Sequence, residues 1–419
     1  MSIKERIVSP MAKNFLSLVL LQGVNYLLPL LSFPFLFRVL EVERWGLVSF
    51  GYAFIQYFII FTDFGFNLSG TKYISENRND IEKINRFLNA AMFGRFFLSF
   101  ISFLILLLII STIPNFQVES KFYLLYFGIV IGNVMFPMWF FQGMETMKYM
   151  TIFNIISKAL SIIPFFFFIR TPDDYIYVPV FYSIGFIAAG IISIYIIYRK
   201  MKMRWFIPSI SEVKFTLKDS STYFLSRAST SLFTTSNSFI IGLVLGNTAV
   251  GYYSAAEKLY QAYNQLLSPF LGVLFPHIAK SRDVSFFKSV FRRITIANVF
   301  CVTIALMLSV YILYFVYGKV DVETLSVFRT LMFACFATIP SMLLGYPFLA
   351  AMGHPNYTNW TLVIISLTHI LILFILITFN MLSINTVAYV VILSEYSLLV
   401  IRLIGVKKFN LFSKHKNND

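Results

Sequence analysis

The chain has 419 residues, of which 58% are hydrophobic and 13% are charged, and its formal net charge is +15. Soluble domains carry about 25% charged residues, so this composition excludes an ordinary soluble protein. A membrane-spanning helix needs about 20 mainly apolar residues, and twelve such helices would use most of the apolar residues present. We therefore predict an all-α polytopic membrane protein.

Turn signals and charges divide the chain into twelve apolar segments, which we take as spans. The first, 15–37, follows basic residues as a signal peptide does, but it is too long for one and lacks a cleavage site, so we expect it to be retained. The longest loop, 199–219, separates two groups of six. The predicted spans are 15–37, 45–66, 87–110, 121–141, 149–169, 175–198, 220–243, 249–277, 294–317, 325–350, 357–379 and 384–406.

The distribution of basic residues predicts the orientation of these spans. With the N-terminus inside, 23 of the 34 Lys and Arg residues fall in inner loops and tails, and 5 fall in outer loops. Basic residues favour the cytoplasmic side, so we predict that both termini are cytoplasmic. The same bias accounts for the positive charge without a nucleic-acid partner.

The two halves of the sequence show an internal repeat. Six spans per half predict two lobes, 1–205 and 206–419, related by a parallel pseudo-twofold axis around a central cleft, as in many transporters. The first match, at a shift of 205 residues, pairs Leu40 with Leu245, Gly46 with Gly251, Ser49 with Ser254 and Gln56 with Gln261. A second match, at a shift of 209, pairs Ile155-Ile-Ser157 with Ile364-Ile-Ser366.

Polar residues form stripes on spans 1, 2, 7 and 8, at matching places in the two halves. One such stripe could simply be polar contacts between packed helices, but paired stripes favour a hydrated cavity. The residues that we predict to line it are Gln22, Asn25, Gln56, Thr230, Thr234, Ser254 and Gln261.

Four cations are predicted to lie deep in the membrane: Arg95, Lys158, Arg227 and Lys258. Intramembrane charges are functional hypotheses by default, and this excess of cations favours a cavity that attracts anions. We expect the four to serve substrate binding more than stability; the alternative is internal ion pairs that hold helices together. Arg329 and Arg402 lie near span ends, where long side chains reach the interface.

Three acidic residues are candidates for ion coupling: Asp63, Glu257 and Glu395. Glu257 adjoins Lys258, so we interpret it as a counter-charge that an anionic substrate replaces, which would allow it to take up a proton or a sodium ion. The alternative is that Glu257 only anchors a neighbouring helix.

No catalytic or metal-binding constellation appears in the sequence. His277, His354, His369 and His415 are scattered without partners at ligand or dyad spacing. Both cysteines lie in apolar segments, and no phosphate-binding loop is present. We therefore expect no cofactor, no metal and no enzymatic activity.

Several motifs resemble the Wzx-type O-antigen flippases, in the polysaccharide-transporter branch of the multidrug/oligosaccharidyl-lipid/polysaccharide flippase superfamily. The resemblance covers essentially the whole chain. The motifs that carry it are Gln22-Gly-Val-Asn25, Trp45-Gly-Leu-Val-Ser-Phe50, Thr62-Asp-Phe-Gly-Phe-Asn67, Trp139-Phe-Phe-Gln-Gly-Met-Glu145 and Ala255-Ala-Glu-Lys-Leu-Tyr260.

The resemblance implies a flippase of the bacterial inner membrane that moves undecaprenyl-pyrophosphate-linked oligosaccharide, such as an O-antigen unit, to the outer leaflet by alternating access. Its partners would be this substrate, membrane lipid, a proton or sodium ion, and other polysaccharide-assembly proteins. The alternatives are a cation-coupled multidrug exporter, a membrane polysaccharide polymerase or ligase, and a non-transporting assembly protein. One departure from the family pattern is Glu41, where a glycine is common; Gly246 keeps the glycine in the second half, so we expect a differently shaped first loop.

Overall fold

A computed structural model describes the backbone of residues 10–412 and the side chains of residues 28–29, 31–224 and 235–412. All regular structure within residues 10–412 is helical. The longer α-helices are α1 (Pro10–Asp63), α2 (Phe66–Glu76), α3 (Ile81–Thr112), α5 (Ser120–Met135), α7 (Met147–Ile162), α9 (Tyr177–Tyr195), α10 (Ile210–Leu245), α11 (Asn247–Gln265), α12 (Ser268–Ser281), α13 (Val284–Met307), α14 (Ser309–Tyr317), α15 (Val322–Leu344), α16 (Pro355–Thr378) and α17 (Ile384–Lys408).

Shorter helical pieces join these helices. They are α4 (Pro114–Gln117), α6 (Met138–Gly143), α8 (Phe165–Phe168), a 3₁₀ turn at Pro172–Ile176, and π-helical segments at Ile196–Lys200 and Gly345–Ala350. Several follow directly on a longer helix, so one predicted span often contains a break in regular α-helical structure.

Nine stretches within the described residues are long and apolar enough to cross a membrane. The first, Leu31–Glu76, covers the end of the predicted span 15–37 and all of 45–66. The predicted spans 220–243 and 249–277 fall outside the nine; the first is helical, and the second contains two helices separated by a turn at 266–267. The chain is thus an all-helical protein with several apolar spans. The other stretches are Ile81–Thr112, Ser120–Gly143, Met147–Phe168, Pro172–Lys200, Val284–Met307, Val322–Ala350, Pro355–Thr378 and Ile384–Lys408.

The chain divides into two compact units. Unit 1 comprises 1–40 and 51–231, and unit 2 comprises 41–50 and 232–419. Compared with the predicted lobes 1–205 and 206–419, residues 206–231 group with unit 1, and ten residues of α1, 41–50, group with unit 2.

Each unit has its own apolar core. In unit 1, Trp139, Phe140 and Phe141 of α6 are fully buried and form one cluster with Phe66 and Phe153. In unit 2, the cluster includes Leu274, Phe287, Leu343, Leu344 and Phe348. The ring centroids of Phe287 and Phe348 lie 4.0 Å apart with nearly parallel planes. These clusters fix the helices that carry the polar groups described below.

Side-chain caps define where several helices begin. Asp80 precedes α3 and accepts the backbone N–H of Lys83 at 3.0 Å. This bond, together with the nearby Lys83 charge, lowers the pKa of Asp80. Asp283 caps α13 in the same way by accepting the N–H of Phe286 at 2.8 Å. Short polar side chains satisfy the N–H groups that a helix leaves unpaired at its first turn.

The helix α1 is interrupted at Glu41, where φ is 59° and ψ is 176°. Gly246, which separates α10 from α11, has φ 86° and ψ 178°. These residues are 205 positions apart, the shift of the predicted repeat. The expectation that glutamate shapes the first loop differently is therefore wrong: Glu41 adopts the backbone conformation normally reserved for glycine.

Reciprocal contacts accompany this matched pair within unit 2. A Cβ atom added at Gly46 would overlap the carbonyl oxygen of Asn247, and one added at Gly251 would overlap the carbonyl oxygen of Val42. Since Val42 and Asn247 are also 205 residues apart, the two helix segments pack with local pseudo-symmetry. Glycine at both positions allows the backbones to touch.

Candidate functional site

The predicted functional side chains that the structure describes are divided between the two units. Unit 1 contains Asp63, Arg95 and Lys158, and unit 2 contains Glu257, Lys258 and Glu395. The side chains of Gln22, Asn25, Arg227, Thr230 and Thr234 lie outside the described part of the structure.

Arg95 on α3 is almost completely buried and binds the ends of two helices. Its Nη2 donates to the carbonyl and side-chain oxygens of Asn133, both at 3.1 Å. Nη1 donates to the carbonyl of Val134 at 3.3 Å, and Nε donates to the carbonyl of Thr62 at 3.4 Å. The charge of Asp63 also interacts with Arg95.

The local sequence explains why these carbonyls need a donor. The helix α5 ends at Met135, just before Pro137, and the residue before a proline disfavours helical conformation. Thr62 lies in the last turn of α1, which ends at Asp63. The last carbonyls of a helix lack the usual i+4 N–H partners and carry partial negative charge, so a buried guanidinium fits them. The Asn133 carbonyl also accepts the N–H of Phe136 at 3.2 Å.

The family-like segments around Thr62 and Trp139 pack against each other in unit 1. A Cβ atom at Gly70 would lie 2.6 Å from the Trp139 ring. Arg78 donates to the carbonyl of Gly143 at 3.1 Å and forms a salt bridge with Glu145 at 3.0 Å. These motifs therefore place the helix ends that Arg95 binds.

The two lysines are more accessible than Arg95. Lys158 on α7 and Lys258 on α11 are both half-buried. Gln56 and Gln261 are also half-buried, whereas Ser254 is buried. The lysines therefore keep part of their surface outside the packed interior of their own unit.

The adjacent Glu257 is buried at 8% exposure and has a partner on the preceding helix. The Ser238 hydroxyl on α10 donates to Glu257 Oε2 at 3.1 Å. The charges of Glu257 and Lys258 also interact. Glu257 thus has a neighbouring cation, which the predicted counter-charge role requires. It also has a hydrogen bond from another helix, which the helix-anchoring alternative requires.

Glu395 on α17 belongs to a second polar network in unit 2. The Tyr260 hydroxyl donates to Glu395 Oε1 at 3.4 Å and lies 3.2 Å from Thr338 Oγ1. The Arg402 charge also interacts with Glu395. These contacts bring α11, α15 and α17 together around a buried carboxylate.

Arg402 lies near the end of a predicted span, and its side chain packs inside the protein. Its side chain is 4% exposed, and Nη1 donates to the carbonyl and hydroxyl of Ser341 at 2.7 and 3.1 Å. Gly345 makes room for it, since a Cβ there would lie 2.9 Å from Nη1. The guanidinium of Arg402 thus contacts Ser341 on α15, 61 residues earlier in the sequence. Hydropathy does not reveal such a long-range contact.

His369 has no partner at ligand or dyad spacing in the sequence, but its ring nitrogens contact side chains on two other helices. Its Nδ1 lies 2.9 Å from the Ser394 hydroxyl, and its Nε2 lies 2.8 Å from Oδ1 of Asn237. The partners are 25 and 132 residues away in sequence. Residue spacing in the sequence therefore gave no indication of these contacts. The only indication was the position of a histidine inside an apolar span.

Within the described residues, no group of three or more His, Cys, Asp or Glu side chains is arranged to hold a metal ion. The polar clusters instead combine single charges with hydroxyl and amide groups. Such clusters can bind a proton, a small cation or an anionic group by exchange of hydrogen-bond partners.

Comparison with known proteins identifies the family. Residues 11–282 match the profile of the polysaccharide biosynthesis protein family. The chain belongs to this family. The matched region contains the sequence motifs described above, including both segments that surround Arg95.

Two curated relatives carry the name "Putative O-antigen transporter". The protein of Escherichia coli (strain K12) is 32% identical over 270 residues, which are 64% of this chain and 65% of that protein. The protein of Shigella dysenteriae is 28% identical over 270 residues, covering 64% of this chain and 68% of its own length. The match therefore spans just under two-thirds of the E. coli relative.

Solved structures share the fold over nearly the whole chain. The lipid II flippase MurJ in an inward closed conformation has a TM-score of 0.75 at 14% identity, covering 94% of this chain and 89% of that chain. An inward-facing multidrug resistance transporter of the MATE family in the MOP superfamily has a TM-score of 0.68 at 14% identity, covering 94% and 96%. This likeness shows the fold.

Proposed function

We propose that the protein is a flippase that moves an undecaprenyl-pyrophosphate-linked oligosaccharide, such as an O-antigen unit, from the inner to the outer leaflet of the bacterial inner membrane. The observation that supports this most is family membership, together with curated relatives named as O-antigen transporters. The MurJ-like and MATE-like fold supports a transport protein and gives no support to a polymerase or ligase.

The proposal includes alternating access by two six-helix lobes, with both termini in the cytoplasm. The local pseudo-symmetry at Gly46 and Gly251 supports a parallel repeat, and the bias of basic residues supports the orientation. A pyrophosphate cannot cross hydrocarbon unaided, so a cleft with cations would replace its hydration.

Lys158 and Lys258 are the cations that we propose to face the substrate, with Arg227 as a further member of the basic set. Arg95, which was predicted to belong to this set, is buried against helix-end carbonyls, and we propose that its role is mainly structural. Both lysines are half-buried, so an ammonium group can stay near the packed interior and still meet an anion. An ammonium acts as a compact, hydrated point charge with three donors, which suits a ligand that must bind and then leave.

The experiment is flipping of lipid-linked oligosaccharide by purified protein in vesicles. Lys158→Gln and Lys258→Gln should each lower the initial rate at least about tenfold, while protein abundance and thermal stability stay near normal. A tenfold effect corresponds to about 1.4 kcal/mol. Lys214→Gln, at an exposed position on α10, is the matched control and should leave the rate unchanged. Normal rates in both test variants would contradict the proposed role.

We also propose that Glu257 couples export to ion entry, with Asp63 and Glu395 as the other candidates. Anionic substrate near Lys258 would compete with Glu257, and the freed carboxylate would then bind a proton or a sodium ion. In vesicles with an imposed gradient of one ion, wild type should respond to it and Glu257→Gln should respond less. A full response by Glu257→Gln would exclude Glu257 as the coupling residue and leave Asp63 and Glu395 as the candidates.

The MATE-like fold also fits one alternative function, that of a cation-coupled multidrug exporter. That function predicts that cells lacking the protein accumulate cationic drugs while their surface polysaccharide remains normal. The proposed function predicts the reverse pattern, so measuring drug accumulation and surface polysaccharide in the same deletion strain separates the two.

A further inference from the structure

Three helices of unit 2 meet at a single imidazole. His369 on α16 is fully buried. It contacts Ser394 on α17 through Nδ1 and Asn237 on α10 through Nε2, at 2.9 and 2.8 Å. The sequence alone suggests no role for this histidine, and the proposed substrate and coupling residues do not include it.

The hydroxyl of Ser394 has a second contact that determines how protons can be arranged. Its Oγ lies 2.8 Å from the carbonyl of Val390, one helical turn earlier, to which it donates. A hydroxyl has one hydrogen to donate but can also accept. While the Ser394 hydroxyl donates to Val390, it can bind His369 only by accepting a hydrogen bond from Nδ1–H.

On the other side of the ring, Oδ1 of Asn237 faces Nε2. An amide oxygen only accepts, so Nε2 must carry a hydrogen. If Nδ1 also donates to Ser394, the imidazole is protonated at both nitrogens and is a cation. The arrangement of acceptors around His369 thus satisfies an imidazolium completely.

The same heavy atoms also satisfy a neutral imidazole. If Nδ1 loses its proton, the Ser394 hydroxyl can rotate and donate to Nδ1 in place of the Val390 carbonyl. That carbonyl lies inside α17 and retains the backbone bond of the helix. Both protonation states are therefore fully hydrogen-bonded, and they differ by one proton and one hydroxyl rotation.

We propose that His369, with Ser394 and Asn237, is a proton-binding site of unit 2. Buried polar groups without partners cost free energy, so a buried histidine usually favours the single protonation state that its neighbours satisfy. Here neither state leaves a partner unpaired, which is the property that a site needs to bind and release a proton repeatedly.

Other titratable groups lie on the elements around this site. Tyr253 on α11 interacts with Asn237, and Glu257 accepts from Ser238, the next residue after Asn237. Glu395 directly follows Ser394 in α17. The π-helical segment Gly345–Ala350, which packs against α16 and α17, carries Tyr346.

The positive charges that interact with the carboxylates of Glu257 and Glu395 are those of Lys258 on α11 and Arg402 on α17. Variants at Glu257 and Glu395 separate their titration from that of His369.

The consequence for transport rests on the proposed flippase function, whereas proton binding itself does not. Hydrogen bonds from a charged donor are roughly twice as strong as neutral ones. Protonated His369 therefore holds α10, α16 and α17 together more tightly than neutral His369 does. Proton occupancy would change the relative stability of two arrangements of these helices.

The direct test is ¹⁵N NMR of histidine-labelled, full-length protein in lipid nanodiscs between pH 3 and 9. The His369 signal is assigned by its loss in His369→Gln. We expect both ring nitrogens to be protonated at the acidic end and Nδ1 to lose its proton as pH rises. A ring that stays in one protonation state throughout would overturn the proposal. His277→Gln, at an exposed position, is the control and should leave this signal in place.

Substitutions at Ser394 test the mechanism without removing the histidine. Ser394→Thr keeps a hydroxyl and should retain the titration. Ser394→Ala removes the group that both accepts and donates, so the midpoint should change by on the order of one pH unit. An unchanged midpoint in Ser394→Ala would show that the hydroxyl plays no part, and these variants remain informative if His369→Gln fails to fold.

The link to transport is tested in vesicles with an imposed pH gradient and, separately, a sodium gradient. Wild type should flip lipid-linked oligosaccharide faster under the pH gradient, and His369→Gln should lose that response while keeping slow downhill flipping. A full response in His369→Gln would overturn the link. If wild type flips no lipid-linked oligosaccharide, the proposed function fails, and the NMR titration still decides whether His369 binds a proton.

Discussion

Glu41 and Gly246 share an unusual backbone conformation, although only one of them is a glycine. Their φ values are 59° and 86°, and their ψ values are 176° and 178°. This region is accessible essentially to glycine alone and costs other residues about 1–3 kcal/mol. The Glu41 side chain is exposed, so the strain arises in the backbone and the side chain offers little packing to offset it.

Glu41→Gly should therefore stabilise the protein. The relief of strain exceeds the extra conformational entropy that glycine gives the unfolded chain, and the net gain should be about 1 kcal/mol. Gly246→Ala is the matched reverse test, because a Cβ there meets nothing within 4 Å and any loss comes from the backbone. Thermal unfolding in detergent measures both; destabilisation by Glu41→Gly would contradict the strain argument.

The contacts of Arg95 change what its removal should do. Four hydrogen bonds from its guanidinium end on helix-terminal carbonyls and an amide oxygen. Arg95→Gln should lower the free energy of unfolding by about 3 kcal/mol, since hydrogen bonds to charged groups contribute about 1.5–3 kcal/mol each. Protein abundance and thermal stability are the measurements. Normal abundance with lost flipping would instead favour direct contact with substrate.

At the scale of helices, the crossing of α1 and α11 depends on two glycines that face opposite backbones. Gly46 meets the carbonyl of Asn247, and Gly251 meets that of Val42. Neither carbonyl can move aside as a flexible side chain would. The crossing is therefore a backbone contact fixed by two residues with no side chain.

Gly46→Ala and Gly251→Ala should each destabilise unit 2 by several kcal/mol, because overpacking against backbone costs about 1–3 kcal/mol or more. Gly272→Ala in α12 is the control: a Cβ there meets nothing within 4 Å, and alanine favours a helix interior. Folded yield after extraction and thermal stability distinguish them. Equal stability of all three variants would show that the crossing adapts.

At the scale of the whole chain, the asymmetry of basic residues predicts the orientation in the membrane. A cysteine introduced at Lys202, in the basic segment between the two predicted groups of spans, should be protected from membrane-impermeant reagents in intact cells and labelled after the membrane is opened. Lys319→Cys, predicted to be outside, is the positive control. Labelling at position 202 in intact cells would reject the orientation and the parallel repeat together.

Composition and motif resemblance were enough to predict the helical membrane class and the family, because both depend on residue patterns that persist along the chain. The partners of His369 and the burial of Arg402 could not be predicted, because each depends on a helix distant in sequence. Glu41 illustrates a third limit: a glycine pattern indicates an unusual backbone, but its absence does not exclude one. Periodicity predicted where helices run and could not predict their breaks at Asp63 and Met135.

The assignment of residues 41–50 to unit 2 has a consequence for synthesis. These residues leave the ribosome about 180 residues before the rest of their unit begins at residue 232. At a synthesis rate of about 20 residues per second the delay is about 9 s, and at about 5 residues per second it is about 36 s. During this interval the Gly46 face has no α11 to pack against. A truncated C-terminal half made alone would lack one side of its own crossing.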